Sequence, residues 1–347
     1  MFENSQRTEL LALGEFGLID HLSDHFNAKL PSTALGIGDD AALIDIGEEY
    51  LAISSDCLIE GVHFDLTYTP LKHLGFKTVV VGISDIIAMN IKPEQVLINI
   101  ALSNRFSLEA IEELYEGVRL ACEKYNVDLI GGDTTSSRSG LMLSVTAMGR
   151  GHKNHVVKRS GAKHTDLLVV TGDVGGAYMG LQILEREKRV FLEHNTMQPD
   201  LEPFDYIVGR QLKPEARIDI LDILKELNIK PTSMIDISDG IASEIHQLGK
   251  ASNIGFDIYE EKLPIDTQTI DTAVSFDLNP SIVALNGGED FELLMTIPIE
   301  FFENIKSHPD FTIIGHVTEF PMTFKLNTRA GNAFDIQAQG WQHIKKD

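Results

Sequence analysis

The stretch SMIDISDGIAS, residues Ser233 to Ser243, joins an apolar run typical of a buried strand to a run typical of a helix start. Two aspartates, Asp236 and Asp239, stand at the join, and Gly240 follows them. A carboxylate at a helix start often serves as an N-cap, but one helix needs only one such cap. The strand-to-helix pattern predicts an α/β fold, and the second carboxylate needs a reason other than capping.

Similar acidic turns recur along the chain, each after an apolar run or at the start of a helix. They are Asp40 in GIGDDAAL, Asp56 in AISSDCL, Asp85 in VGISDIIAM, Asp133 in LIGGDTT and Glu289 in NGGEDFE. Any one of them alone is explained by a capping role worth about 1 kcal/mol. If they converge away from water, however, unpaired carboxylates are costly, and the few basic residues in these turns do not neutralise them.

A divalent cation would remove this cost. Oxygen-rich clusters without histidine or thiolate suit Mg²⁺, which takes carboxylates, hydroxyls, water and substrate phosphates as ligands. Asp236 and Asp239 are therefore predicted to hold Mg²⁺ and, through it, a phosphorylated ligand. Ser54 and Ser55, which directly precede Asp56, are candidates for additional hydroxyl ligands.

The chain has 347 residues, a length that suits two domains of about 150 residues each. Strand-like runs alternate with amphipathic helices, and the pattern restarts near Gly149–Gly151. The clearest helix is SLEAIEELYEGVRLACEKYN, for which Ser107 is the predicted N-cap. We therefore predict two α/β domains, residues 1–150 and residues 151–347.

Composition excludes several classes of function. The formal net charge of -23 argues against a nucleic-acid partner and against an anionic membrane surface. The two cysteines, Cys57 and Cys122, form no CxxC motif, and the chain has no apolar run long enough to span a membrane. These features predict a cytoplasmic protein that binds phosphates through metal ions.

Four further features each have a functional and a structural interpretation. The glycine-rich segment Thr171–Gly180 is either a phosphate cradle or a tight turn. Arg159 either reaches a phosphate or lies on a solvated face. His63 is either a ligand contact or structural, and Trp341 either stacks on a ring-bearing ligand or packs in the fold. The sequence has no GxxxxGK[ST] motif, which excludes a Walker-type ATPase.

In order and approximate spacing, a series of segments resembles the thiamine-monophosphate kinase family, part of the aminoimidazole-ribonucleotide-synthetase-like superfamily. The segments are LGIGDDAAL, AISSDCLIEGVHF, GISDIIAM, LIGGDTTSS, KRSGAK, IDISDGIASEI and NGGEDFEL, within a resemblance from about Gly14 to Trp341. The resemblance implies a two-domain α/β fold, with an N-terminal sheet that closes a barrel across a homodimer. It also implies an active site between the domains and Mg²⁺-dependent conversion of ATP and thiamine phosphate to ADP and thiamine diphosphate.

The resemblance further implies roles for individual residues. The metal ligands would be Asp40, Ser54, Ser55, Asp56, Asp85, Asp133, Asp236 and Asp239. ATP would contact Gly132, Asp133, Arg159 and Ser238, and thiamine phosphate would contact His63, Glu289 and Trp341. Arg159 and the metal-bound carboxylates of Asp40, Asp56, Asp85, Asp133 and Asp236 would form the catalytic set. Ser55 departs from the family pattern, which often has threonine there, but it keeps the hydroxyl.

The chemistry predicts direct in-line transfer, because a phosphate oxygen of the acceptor is ionised near neutral pH and needs no strong base. The sequence shows no recognisable pair of nucleophile and base, so nothing in it indicates a phosphoenzyme intermediate. Two alternatives remain open at this point. One is a related enzyme of the same superfamily with a different acceptor, and the other is a catalytically silent protein that binds cations with the same aspartates.

Overall fold

The computed structural model of the protein describes Leu10, residues 13–193 and residues 199–338. The helices in these ranges are α1 (Gly14–Ser23), α2 (Leu71–Ala88), α3 (Leu108–Tyr125), α4 (Gly176–Glu193), α5 (Asp205–Leu212), α6 (Asp219–Glu226), α7 (Ile241–Ser252), α8 (Thr267–Ser275), α9 (Pro280–Asn286) and α10 (Phe302–Ile305). The strands are β1 (Thr33–Leu35), β2 (Ala42–Asp45), β3 (Glu49–Ile59), β4 (Pro93–Leu102), β5 (Asp128–Gly131), β6 (Thr134–Ser136), β7 (Met142–His152), β8 (Leu167–Thr171), β9 (Ser233–Asp236), β10 (Gly255–Tyr259), β11 (Leu293–Ile297), β12 (Phe311–Thr318), β13 (Phe324–Asn327) and β14 (Ala333–Asp335). The fold is a mixed α/β arrangement with two sheets, as predicted.

The first sheet has the strand order β1-β2-β3-β7-β4-β5, and β6 also pairs with β4. Its centre is the antiparallel pair of β3 and β7, which runs from Glu49 opposite His152 to Ile59 opposite Met142. Helix α2 packs on one face of this pair. Because side chains alternate along a strand, Ser54 and Asp56 share the face that α2 covers.

The second sheet has the order β14-β13-β10-β12-β8-β11-β9. Its strands β8 and β11 are buried along their whole length, which requires cover on both faces. Strand β9 lies at the end of the order beside β11, and Asp236 is its last residue. Asp236 therefore lies at the edge of the second sheet.

Helix α2 connects the two sheets. One apolar cluster contains Val80 and Ile83 of α2, Val145 of the first sheet, and Val169 and Met234 of the second. Helix α2 also contacts β9 directly. A residue near the C-terminal end of α2, such as Asp85, therefore lies where the two sheets meet.

Several sequence predictions are confirmed. Helices α2 and α3 form where the apolar spacing predicted them, and the Ser107 side chain accepts the Ala110 N–H at the start of α3. The pattern did not predict α5 or the strands β12 to β14. None of the described helices is long and apolar enough to cross a membrane. The proposed division near residue 150 stays a prediction; the first sheet ends at His152 and the second begins at Leu167.

Helices α2 and α3 cross in backbone contact at two glycines. A Cβ added to Gly117 would lie 1.9 Å from the carbonyl oxygen of Lys72, and one added to Gly75 would lie 1.9 Å from that of Leu114. Neither neighbour is a flexible side chain, so the helices would have to separate. This close crossing fixes the position of α2 against the first sheet.

Gly117→Ala should lower the free energy of unfolding by about 1–3 kcal/mol, because the added methyl group overpacks the crossing. Gly209→Ala is the matched control, since Gly209 lies in α5 with no atom within 4 Å of an added Cβ. There the free energy should stay level or rise by up to about 1 kcal/mol, as for glycine-to-alanine changes in helices. Urea unfolding measures both, and equal effects would contradict the close crossing.

Candidate active site

Three carboxylates from distant parts of the sequence meet at the junction of the two sheets. They belong to Asp40 before β2, Asp85 in α2 and Asp236 at the end of β9. One oxygen of each lies within 4.8 Å of the others. Asp40 and Asp236 are buried, with exposed fractions of 7% and 3%. The structure thus brings together three of the predicted metal ligands.

Burial and mutual repulsion resist ionisation of this cluster. Burial raises the pKa of Asp40 to about 7, an effect that the Arg159 guanidinium opposes and the Asp236 charge reinforces. Burial and then the Asp236 charge raise the pKa of Asp56 to about 7. Burial, followed by the charges of Asp236 and Asp56, raises the pKa of Asp85 well above its ordinary value. Carboxylates held this way are ready to exchange protons for a cation.

The residues present fit a hard cation. Oδ2 of Asp40 and Oδ2 of Asp56 are buried and have no hydrogen-bond partner among the described residues. Buried acceptors are rarely left unpaired without a functional reason. Carboxylate and hydroxyl oxygens, without thiolate or imidazole in the cluster, are the donor set that Mg²⁺ prefers.

Neighbouring side chains fix the orientation of these carboxylates. The Ser84 hydroxyl donates to Oδ2 of Asp236 over 2.6 Å, and the Ser54 hydroxyl donates to Oδ2 of Asp85. Arg159 donates through Nη2 to Oδ1 of Asp40 over 2.7 Å. Of two consecutive residues of α2, Ser84 therefore orients Asp236, and Asp85 is itself a member of the cluster.

The turn after β9 answers the question raised by its two aspartates. Gly240 is the N-cap of α7, with φ of 111°, and as a glycine it has no side chain with which to cap the helix. The Asp239 N–H donates to Oε1 of Glu244 over 2.9 Å. Neither Asp236 nor Asp239 occupies the N-cap position of α7. Asp236 joins the carboxylate cluster, and Asp239 lines the cavity beside it.

A second turn, residues 288–291, is hydrogen-bonded to the turn that follows β9. The Glu289 N–H donates to the Ser238 carbonyl over 2.7 Å, and the Phe291 N–H donates to the Ile237 carbonyl over 2.9 Å. Glu289 and Phe291 have φ of 56° and 52°, a left-handed conformation that is unfavourable for residues other than glycine. Such strain persists only where surrounding contacts hold it, so Glu289 is fixed relative to Ser238.

A cavity of about 790 Å³ opens beside the carboxylate cluster. Its lining includes Asp56, His63, Lys77, Ser238, Asp239 and Glu289. His63 is oriented by the Ile59 N–H, which donates to its Nδ1 over 3.0 Å. Predicted metal, ATP and thiamine phosphate contacts thus line one space.

Other predicted site residues lie elsewhere. The Ser55 hydroxyl pairs with that of Thr146 over 3.1 Å, on the face of β3 opposite Ser54, so the structure does not bring it to the cluster. Gly132 and Asp133 lie in an exposed loop between β5 and β6, where a Cβ on Gly132 would lie 1.8 Å from the Ile98 carbonyl oxygen. Trp341 lies outside the described residues. The roles of all four stay predictions.

The glycine-rich loop after β8 is a turn whose N–H groups donate to the side chain of Asp290. Oδ2 of Asp290 accepts the Gly175 N–H over 2.8 Å, and Oδ1 accepts the Ala177 N–H over 3.5 Å. Asp290 is fully buried, and this burial raises its pKa to about 7. A side chain of the protein therefore occupies the start of α4, which supports the tight-turn interpretation of Thr171–Gly180.

Sequence reasoning missed several polar residues around the cavity and the cluster. Glu244 is 3% exposed behind the Asp239 turn, and Lys77 and Gln211 are buried beside Glu289. The available signal was a charged residue on the apolar side of a helix, as in LGFKTVVVGIS around Lys77. Gln211 gave no such signal, because α5 itself was not predicted.

The two sheets and the carboxylate junction define a protein of the AIR-synthase-related class. Residues 38–151 match the family model described as "AIR synthase related protein, N-terminal domain". The chain is 32% identical over 341 residues to thiamine-monophosphate kinase of Bacillus subtilis, covering 96% of this chain and 100% of that protein. It is also 32% identical to the Aquifex aeolicus thiamine-monophosphate kinase, covering 96% and 99% of the two chains. The chain belongs to the thiamine-monophosphate kinase family.

A solved structure agrees over nearly the full length. It is described as "AaThiL complexed with AMPPCP and TMP" and superposes with a TM-score of 0.82 at 31% identity, covering 97% of this chain and 99% of that one. The similarity extends through both sheets, so it includes the junction that carries the carboxylate cluster.

The raised pKa values predict how stability depends on pH and Mg²⁺. A carboxyl group with a raised pKa holds its proton more tightly when folded, so it favours folding less as pH rises through that pKa. Without Mg²⁺, the midpoint of thermal unfolding should therefore fall by roughly 5 °C between about pH 6 and about pH 8. Added Mg²⁺ should raise the midpoint more at the higher pH, since fewer protons compete.

Thermal unfolding followed by circular dichroism, with EDTA or MgCl₂, measures this effect. Asp85→Asn should show a smaller pH dependence and a smaller response to Mg²⁺, because one repelling charge and one ligand are gone. An unfolding midpoint that rises with pH and ignores Mg²⁺ would contradict the cluster as a cation site.

Proposed function

We propose that this protein transfers the γ-phosphate of ATP to thiamine phosphate, giving thiamine diphosphate and ADP. The observation that carries the proposal is the buried cluster of Asp40, Asp85 and Asp236 beside a cavity that His63 and Glu289 also line. Membership of the thiamine-monophosphate kinase family supports the same reaction. A complex of a relative with AMPPCP, a non-hydrolysable ATP analogue, supports ATP as the donor.

The proposed cofactor is Mg²⁺. Asp40, Asp56, Asp85 and Asp236 would hold it, with Ser54, Ser55, Asp133 and Asp239 as further proposed ligands. Bound Mg²⁺ would neutralise the phosphate charges that otherwise repel each other. Gly132, Asp133, Arg159 and Ser238 are the proposed ATP contacts, and His63, Glu289 and Trp341 the proposed acceptor contacts.

The reaction needs positioning more than acid–base chemistry. An acceptor phosphate oxygen, already ionised near neutral pH, forms the new bond to the γ-phosphorus. The bond from that phosphorus to the β–γ bridging oxygen breaks, and ADP leaves with its electron pair. The cavity supplies proximity by holding both substrates in line. No side chain of the cluster needs to act as a nucleophile, which supports direct transfer.

The proposed assembly is a homodimer in which the first sheet of one copy pairs with the first sheet of the other. The proposed boundary between the two domains of each copy lies near residue 150. The supporting observation is the face of the β3–β7 pair opposite α2. Ile59 and Met142 lie opposite each other on it and are 41% and 40% exposed. A second copy would cover such an apolar face. Light scattering should then give twice the chain mass of 38.4 kDa, and a monomer mass would contradict this assembly.

Purified protein with ATP, Mg²⁺ and thiamine phosphate should form thiamine diphosphate, resolved by chromatography. Free thiamine should give no product, because the acceptor atom is a phosphate oxygen. Asp85→Asn should lower kcat by at least about a hundredfold, since it removes a carboxylate that holds the charge-neutralising ion.

The control for that variant is Asp222→Asn, which removes an exposed surface carboxylate paired with Lys92 and should keep normal turnover. Near-normal turnover by Asp85→Asn would rule out the proposed metal role. ATP binding without any product from thiamine phosphate would favour a related enzyme with another acceptor or a silent cation-binding protein.

A further inference from the structure

The buried side chains of Lys77 and Gln211 both contact the carboxylate of Glu289, which lines the cavity. Lys77 in α2 is 2% exposed, and its Nζ lies 2.9 Å from Oε1 of Glu289. Gln211 in α5 donates through Nε2 to Oε2 of Glu289 over 2.7 Å. Lys77 also donates to the backbone carbonyl of Gln211 over 3.3 Å. Because each carboxylate oxygen has its own donor, rotation of the Glu289 carboxylate is restricted.

This arrangement is poor for stability. Burying an ammonium group costs free energy that one ion pair often fails to recover, and apolar residues of similar size are frequently as good or better. Gln211 is 6% exposed, and its Oε1 is buried with no hydrogen-bond partner among the described residues. The amide therefore adopts the orientation that serves Glu289 and leaves its own oxygen unpaired. Such a cost is typical of sites that are arranged for function.

The carboxylate of Glu289 faces the cavity. The Glu289 side chain is 31% exposed, and the turn that carries it is bonded to the Ser238 carbonyl. A fixed carboxylate at this position complements a cation or an amino group of a ligand. The organic half of thiamine phosphate offers both, as a thiazolium ring and an aminopyrimidine.

Helix α2 carries both Lys77 and Asp85, so it connects the Glu289 contact to the carboxylate cluster. Lys77, Val81, Ser84 and Asp85 lie at positions i, i+4, i+7 and i+8, which share one helix face. The separation of eight positions from Lys77 to Asp85 corresponds to a rise of about 12 Å along the axis. Both Lys77 and Val81 line the cavity. One face of α2 thus carries two groups. Lys77 holds Glu289 for the organic end of an acceptor, and Asp85 would bind the ion at the phosphate end of that acceptor.

We propose that Lys77 and Gln211 are positioning residues that hold Glu289 in place for the cationic organic half of the acceptor. This inference rests on the proposed function and deepens it. Both residues act through Glu289 and touch no reacting atom. Losing either one should therefore weaken acceptor binding in the ground state and the transition state alike, which raises KM and leaves kcat nearly unchanged.

The test compares Lys77→Met, Glu289→Gln and the double variant in the thiamine phosphate assay. Lys77→Met should raise KM for thiamine phosphate by about tenfold to a hundredfold, as expected for loss of a hydrogen bond to a charged group. KM for ATP and kcat should stay within about threefold. The double variant should match Glu289→Gln alone, because residues that act through one another are not additive.

Lys72→Met is the matched control, since Lys72 lies in the same helix with its side chain 45% exposed and should change no kinetic constant. Gln211→Met repeats the test if Lys77→Met fails to fold, and it should raise the same KM. Effects of Lys77→Met and Glu289→Gln that multiply in the double variant would overturn the inference, as would an unchanged KM for thiamine phosphate. If the unaltered enzyme forms no thiamine diphosphate, the proposed function falls and this inference with it.

Discussion

The constraint on which this structure depends is the burial of several carboxylates in one place. Asp40, Asp85 and Asp236 place oxygens within 4.8 Å of one another, with Arg159 paired to Asp40. Charges brought together away from water repel each other and lose hydration, so the fold must oppose their separation. A closely packed helix, two sheets and hydrogen-bonded turns provide that opposition. Binding of the proposed cation and a phosphorylated ligand would recover this free energy.

Helix α2 links the parts of this junction. It packs against α3 through Gly75 and Gly117 so closely that neither glycine tolerates a Cβ without a shift in backbone. Its apolar residues join the cores of both sheets. Of its polar residues, Lys77 lines the cavity and Asp85 belongs to the carboxylate cluster. The same element therefore positions the proposed acceptor contact and the proposed ion ligand, and a movement of α2 would change both.

Sequence reasoning found the convergent aspartates because each follows an apolar run or lies at the start of a predicted helix. It did not apply the period of two along β3, which sends Ser54 and Ser55 to opposite faces. It left the glycine-rich loop open between a phosphate cradle and a tight turn, because Asp290, which accepts N–H groups of this loop, is distant in sequence. The partners of Glu289 depend on tertiary contacts between α2 and α5, which no local pattern encodes.

The most direct measurement of the central claim is anomalous scattering from crystals grown with Mn²⁺, a strongly scattering substitute for Mg²⁺, and a non-hydrolysable ATP analogue. The account predicts anomalous peaks at coordination distance from carboxylate oxygens of Asp85 and Asp236. A structure with the nucleotide bound and no peak at these oxygens would contradict it, because the buried carboxylates would then be protonated residues of the fold and the cluster would have no role in binding a cation.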